Sequence, residues 1–403
     1  MRFTQPIPAA VIFVCLAAQA RGAPGQKAQA PGARAQAPPA CILGDETLAQ
    51  KQPALAVIEY NKCLSKNPPT FKMLSNLGIA YAQEKKFPQA IQSYGQALAL
   101  DPQNANVLTN LGLAYMKTNR PKEASEQFAR ALITDPGNGK TLELLAYAHL
   151  ALGDYPLAGY EASIVHEASP GDPTAAYILG VAYMRMGMNV KAIPLIESSL
   201  AHAKPSGGTY MVLGEALLGI KSWEPALKAF LRAEKMDPSL PGLYADLGAA
   251  LAAMAELDNA KAAFLKELAR DPNNFKANYL LGQLDRAEGD NADAQKYLEK
   301  ASELGSGNPG PAFELSVLAV QNQDYPKAEA LLEGIVQKFP DLTDAHVLLA
   351  QVYFRLHQTE QGTRERAIAV ALQRADHARL QTEGRTLKWL SGVSSTAQEP
   401  RKQ

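Results

Sequence analysis

Gly137-Asn138-Gly139-Lys140-Thr141 comes nearest to a reactive motif in this 403-residue chain. Glycines followed by Lys and Thr are the ingredients of a phosphate cradle, in which backbone N–H groups and an ammonium hold the anion. That cradle needs a further Gly where Thr134 stands, and a strand leading into it; here Asp135-Pro136 precedes it. The six histidines are scattered, and His346 and His357, eleven residues apart, have no carboxylate pattern to complete a metal site. His149 falls where neighbouring segments carry Tyr, which reads as a helix-face residue. No G-x-S-x-G turn presents a serine nucleophile. The expectation is a non-enzyme with no catalytic residues, cofactor or metal.

Of the three cysteines, Cys41 and Cys63 lie in one segment with no His or further Cys beside them to make a metal set. Two readings stand. Either they pair, stapling two helices and contributing about 3 kcal/mol by loop closure, or they are two small buried thiols.

The elements that carry these residues are set by a recurring text. Lys72–Pro102 holds two amphipathic runs joined by a polar turn at Glu84–Phe87 and closed by Asp101-Pro102. Leu74, Leu77, Ala80 and Tyr81 share one helical face, and Ala90, Tyr94 and Ala97 a second. The text returns every 34 residues, in units starting at 37, 71, 105, 139, 173, 207, 241, 275, 309 and 343. The seventh position is always Leu, the eighth is always small, and the twentieth is Ala in nine of ten units. Small residues at both places predict closely packed helix pairs, and Tyr60, Tyr94, Phe128, Phe230 and Phe264 at the twenty-fourth position are expected to fill space toward the next unit. A single pair cannot bury its apolar face alone; stacked copies share a continuous core.

These residues resemble the tetratricopeptide repeat (TPR) family over about 37–380. The resemblance implies an all-α fold, a right-handed superhelical solenoid of about ten helix-turn-helix units. It also implies a non-catalytic scaffold or adaptor whose concave groove, lined by the first helix of each unit, holds an extended or helical protein segment. On that pattern the groove residues are Asn76, Asn110, Tyr147, Tyr177, Met184, Met211, Tyr279, Phe313 and Phe354. Asn76 and Asn110 share one repeat position and resemble an asparagine ladder that grips a peptide backbone, although Leu144 and Ile178 end it after two rungs. The apolar remainder suits an adaptable apolar partner, or else packs between neighbouring helices. Two alternatives stand beside the scaffold: a module in which Tyr147, Tyr177 and Asn110 bind a glycan or cell-wall fragment, and an auxiliary subunit of an envelope enzyme.

Residues 1–20 read as a signal peptide, with Arg2, an apolar run from Ile7 to Ala18, and cleavage after Ala20. Residues 21–36 read as a disordered Ala/Pro/Gly linker. The expected location is therefore periplasmic or extracellular, with no stable membrane insertion after cleavage. With 40 basic and 40 acidic residues the net charge is +0, which offers no field for nucleic acid. Gly-rich junctions at 204–208 and 305–311 are candidate hinges, or simply loosened turns. Thr363 to about Arg385 reads as a capping helix with Ala367, Ile368, Ala371, Leu372 and Ala375 inward; 381–403 ends the cap and becomes a disordered tail.

Overall fold

The computed structural model describes residues 39–395 apart from 306, with side chains described from 41 to 378. The leader at 1–20, its cleavage point after Ala20, the linker at 21–36 and the tail beyond 395 lie outside the described residues. Twenty helices and no strand occur among the described residues. They fall into two compact units that meet in sequence at Pro241–Gly242.

The first unit holds six helix pairs. They are α1 (Pro39–Ala49) with α2 (Pro53–Leu64), α3 (Phe71–Gln83) with α4 (Phe87–Leu100), α5 (Ala105–Lys117) with α6 (Pro121–Thr134), α7 (Gly139–Leu152) with α8 (Tyr155–Ala168), α9 (Pro173–Arg185) with α10 (Asn189–His202), and α11 (Gly207–Gly219) with α12 (Trp223–Met236). The second unit holds four: α13 (Leu243–Ala253) with α14 (Leu257–Arg270), α15 (Phe275–Glu288) with α16 (Asn291–Leu304), α17 (Gly310–Gln321) with α18 (Tyr325–Lys338), and α19 (Thr343–Arg355) with α20 (Thr359–Ser395). Within each unit every helix packs on the one before it and the one after it.

Local chemistry starts and stops these helices at fixed places. In six pairs the first helix is capped by the residue that closes the preceding repeat. Thr70, Asn104, Asn138, Asp172, Ser206 and Asn274 each accept a backbone N–H from the third helical residue through their side chains. At the seventh pair the capping place holds Leu240, which cannot do this. Glu267 of α14 replaces it, accepting the N–H groups of Gly242 at 2.9 Å and Tyr244 at 3.1 Å.

The turn inside each pair is also invariant. The residue at the fifteenth repeat position is left-handed in all ten pairs: Lys51, Lys85, Asn119, Gly153, Gly187, Lys221, Ala255, Gly289, Gln323 and His357. The next residue's N–H returns to the carbonyl five residues back, as in Gln52 to Thr47 at 2.9 Å and Gln358 to Tyr353 at 2.8 Å. This is the Schellman arrangement, which satisfies carbonyls that a helix end would leave open.

Packing within the pair explains the small eighth residue. A Cβ on Gly78 would lie 2.5 Å from the Tyr94 ring, and one on Gly112, Gly214 or Gly248 would lie 2.5 Å from Phe128, Phe230 or Phe264. The large twenty-fourth residue therefore seats on the glycine of its own repeat, and does not chiefly fill space toward the next. Where that residue is aliphatic the clearance is slightly greater, 2.8 Å for Gly180 on Ile196 and 2.7 Å for Gly282 on Leu298. The paired Ala at the twentieth position is fully buried from Ala56 to Ala328. Leu43, on the first described helix, is 41% exposed, whereas its nine repeat equivalents are buried.

Across the Gly-rich junctions α10 packs on α11 and α16 on α17, and the division into units falls at 241–242. Gly207 is needed because a Cβ there would meet the Ala233 carbonyl oxygen at 3.1 Å. The last helix also turns a different face inward. Its buried stripe runs through Gly362 and Ala369, with Glu365 and Leu372 partly covered, while Ala367, Ile368, Ala371 and Ala375 are exposed. Helix α20 continues to Ser395, well into the stretch 381–403 that was read as the end of the cap and a disordered tail.

Candidate partner-binding groove

The first helix of each pair carries the candidate groove residues, and the two units treat them differently. In the first unit Tyr147, Tyr177, Met184 and Met211 are 4–8% exposed. Tyr147, Tyr177 and Met184 sit in one apolar cluster with Ile178, Ile196 and Leu213. Burial pushes the Tyr177 phenol well above the ordinary tyrosine range, and the nearby Glu215 carboxylate adds to this. None of the four offers a free apolar surface.

Asn76 and Asn110 are half-buried. Asn76 donates to Asp45 Oδ1 at 2.9 Å, and Asp45 also receives Tyr60 Oη at 2.5 Å and Lys72 Nζ at 2.5 Å. Burial acts to raise the Asp45 carboxyl, but these three donors outweigh it and hold it below the ordinary value. Asn76 thus uses one amide hydrogen within the protein. The residues that hold Asn76, above all Asp45, were not singled out by sequence; only their matching place on neighbouring first helices could have signalled them.

In the second unit the aromatic candidates keep accessible surface. Tyr279 and Phe313 are half-buried and Phe354 is 39% exposed. Tyr279 stacks on Phe275 with ring centroids 5.8 Å apart, and Gln283 bridges Tyr279 Oη at 3.1 Å to Glu314 at 2.7 Å. Arg286 Nε lies 2.9 Å from the same Glu314 carboxylate. The Phe354 ring rests on Gly362, where a Cβ would come within 2.7 Å. Tyr279 is thus held by polar and aromatic contacts, and Phe354 by contact with glycine.

Family models agree with this geometry. One described as TPR repeat matches residues 78–119, and two described as Tetratricopeptide repeat match 109–173 and, in two overlapping stretches, 285–351 and 319–382. The chain is a tetratricopeptide-repeat protein. No curated protein matches its sequence. Among solved structures it is similar to a tetratricopeptide repeat protein from Parabacteroides merdae, at 21% identity over 53% of this chain and 83% of that one, TM-score 0.40. It is also similar to Pseudomonas aeruginosa PilF, at 18% identity over 50% and 91%, TM-score 0.42. Yeast Tom70 is 15% identical over 89% and 96%, TM-score 0.38.

Other reactive-looking groups of this tetratricopeptide array have partners within the fold. Asn138 in the phosphate-loop look-alike caps α7 by accepting from Thr141 N–H at 3.0 Å, and Lys140 Nζ reaches Glu143 at 2.7 Å. Asp285, Glu288 and Asp290 bring carboxylate oxygens within 4.8 Å of one another. The Lys261 ammonium already lies among them, at 2.7, 3.1 and 3.3 Å. Cys41 and Cys63 are joined by a disulfide with Cα atoms 5.3 Å apart, beside Met73. No described helix is long and apolar enough to cross a membrane.

Proposed function

We propose that this tetratricopeptide-repeat protein is a non-catalytic scaffold. In this reading it holds an extended or helical apolar segment of a partner protein against the first helices of its second unit. The observation that carries the reading is the contrast in burial: Tyr279, Phe313 and Phe354 retain open surface, while Tyr147, Tyr177, Met184 and Met211 do not. A ring fixed on one side and open on the other loses little freedom when a partner covers it, which favours binding. A glycan platform on Tyr147 and Tyr177 has no such support, since both rings are covered.

The place of action in this reading is the cell envelope or the medium. The Cys41–Cys63 disulfide supports it, because such bonds persist in oxidising compartments. Crosslinking mass spectrometry on the native protein in envelope extract tests both parts. A defined protein partner is expected, crosslinked to residues 275–355 and lost on combined Tyr279→Ala and Phe354→Ala substitution with helicity unchanged. Retention by purified cell-wall material with no protein partner, or fractionation with the cytoplasm with residues 1–20 intact, would overturn the corresponding part.

A further inference from the structure

Three polar side chains beside the second unit's aromatic candidates converge on Glu314 of α17. Gln283 Nε2, on α15, donates to Glu314 Oε1 at 2.7 Å and to Tyr279 Oη at 3.1 Å. A carboxylate only accepts, so the amide nitrogen faces Glu314 and both its hydrogens are used. The amide oxygen, Gln283 Oε1, is left over. It has no hydrogen-bond partner among the described residues and keeps accessible surface.

Donors stand beside this acceptor. Arg286 Nε lies 2.9 Å from Glu314 Oε2, an ion pair without an aligned hydrogen bond. Its Nη1 and Nη2 groups make no hydrogen bond among the described residues, and the side chain is 22% exposed. The Tyr279 hydroxyl, which accepts from Gln283, still has its own hydrogen to donate. Burial, and then the Glu314 charge, hold that phenol above its ordinary value, so the hydrogen stays on. Gly310 leaves room for the hydroxyl, since a Cβ there would lie 2.7 Å from Oη.

The chemistry of this cluster selects its occupant. A ligand carboxylate would meet Glu314, and a ligand ammonium would meet Arg286. A neutral amide avoids both repulsions, and it can donate to Gln283 Oε1 while accepting from Arg286 or Tyr279. A helix has paired its backbone amides internally except at its ends, whereas an extended chain carries them free. We propose that Gln283, Arg286 and Tyr279 read the backbone of an extended partner segment. Gln283 Oε1 accepts a backbone N–H, and Arg286 and Tyr279 donate to a carbonyl oxygen. This rests on the groove reading above and narrows it: the segment is extended, not helical, and is uncharged where it crosses Glu314.

The test is selection of random linear peptides against the full chain. Each backbone amide of a selected peptide is then exchanged for an ester, with binding read by fluorescence anisotropy. One ester, which removes an N–H donor, is expected to weaken binding about three- to tenfold in the wild type and to have no effect in Gln283→Leu. Wild-type selection is expected to yield no charged residue at that position. Selection against Glu314→Gln should bring Asp or Glu there, and selection against Arg286→Gln should bring Lys or Arg. An ester series with no position coupled to Gln283, coupling to a side-chain amide instead, or binding strengthened by an i,i+4 lactam that fixes a helix would overturn the backbone reading and leave the groove in place. Peptides indifferent to combined Tyr279→Ala and Phe354→Ala substitution, or failure to select any peptide, would overturn the groove reading and this inference with it.

Discussion

At the scale of single residues, burial separates side chains that the sequence pattern treats alike. Tyr177, Tyr279 and Phe313 share one repeat position, yet Tyr177 is 4% exposed and the other two are half-buried. Tyr177→Ala should therefore act through stability, lowering it by about 3–5 kcal/mol as buried aromatics do, with a reduced melting temperature as the readout. Phe354→Ala should weaken partner capture with a far smaller thermal shift. The buried acids give a pH prediction. Burial raises the carboxyls of Glu143 and Glu161 above their ordinary value, against the partial opposition of Lys140 and His149. A raised folded value means the fold holds the proton more tightly than the unfolded chain. Their contribution is therefore most favourable below the ordinary carboxylate range and declines as pH rises through the raised values. Glu143→Gln and Glu161→Gln should raise the melting temperature more at pH 7 than at pH 4; an equal shift at both would refute the assignment. None of this was readable from residue type, because a 34-residue period gives a side chain's repeat position and not the neighbours that cover it.

Whole elements were far more legible. The helix pairs follow from periodicity, the small eighth residue, the Ala at the twentieth position of nine units and the Pro at the thirty-second position of seven, as in Pro102 and Pro136. What the pattern misassigned was the direction of the large twenty-fourth residue, because periodicity gives a face but not the atom it meets. The corrected contact is testable. Gly112→Ala should gain about 1 kcal/mol of helix propensity and still destabilise by about 1–3 kcal/mol through contact with Phe128. Adding Phe128→Leu should recover part of the loss, since Leu298 already sits over Gly282; denaturant unfolding of the two single variants and the double variant measures the coupling. The cap of α13 was also illegible. Leu240 occupies the place where six other repeats carry a capping side chain, and the substitute, Glu267, comes from the following helix. Glu267→Gln should cost about 0.5–2 kcal/mol, the range for a lost cap, with exchange of the Gly242 and Tyr244 amides accelerated.

At the scale of the whole molecule, the ends of the array differ from its middle. The first pair has Leu43 exposed and is closed by a covalent bond between its two helices. Cys41→Ala with Cys63→Ala, or reduction, should destabilise that pair by about 3 kcal/mol, visible as accelerated amide exchange confined to residues 41–67. The last pair ends in a long helix whose inward face was misread, because its alanine-rich sequence supports several faces equally well and only contact with α19 selects one. Repeat number and register were therefore legible from sequence, whereas the division at Pro241–Gly242 was not, since Pro and Gly also occur at junctions inside a unit.

The left-handed turns set a further property of the molecule. Seven of the ten carry a side chain where glycine would relax the backbone. The left-handed conformation costs a residue with a Cβ about 1–2 kcal/mol, and glycine returns about 0.5–1 kcal/mol of that as unfolded-state entropy. Each replacement should thus gain a few tenths to about 1 kcal/mol, least at Asn119, whose side chain tolerates the conformation. Successive turns lie one repeat apart and share no partner, so the increments should add. Thermal tolerance can then be graded step by step through positions that touch neither the groove nor the core, yielding a ladder of variants with the same recognition surface and different working temperatures.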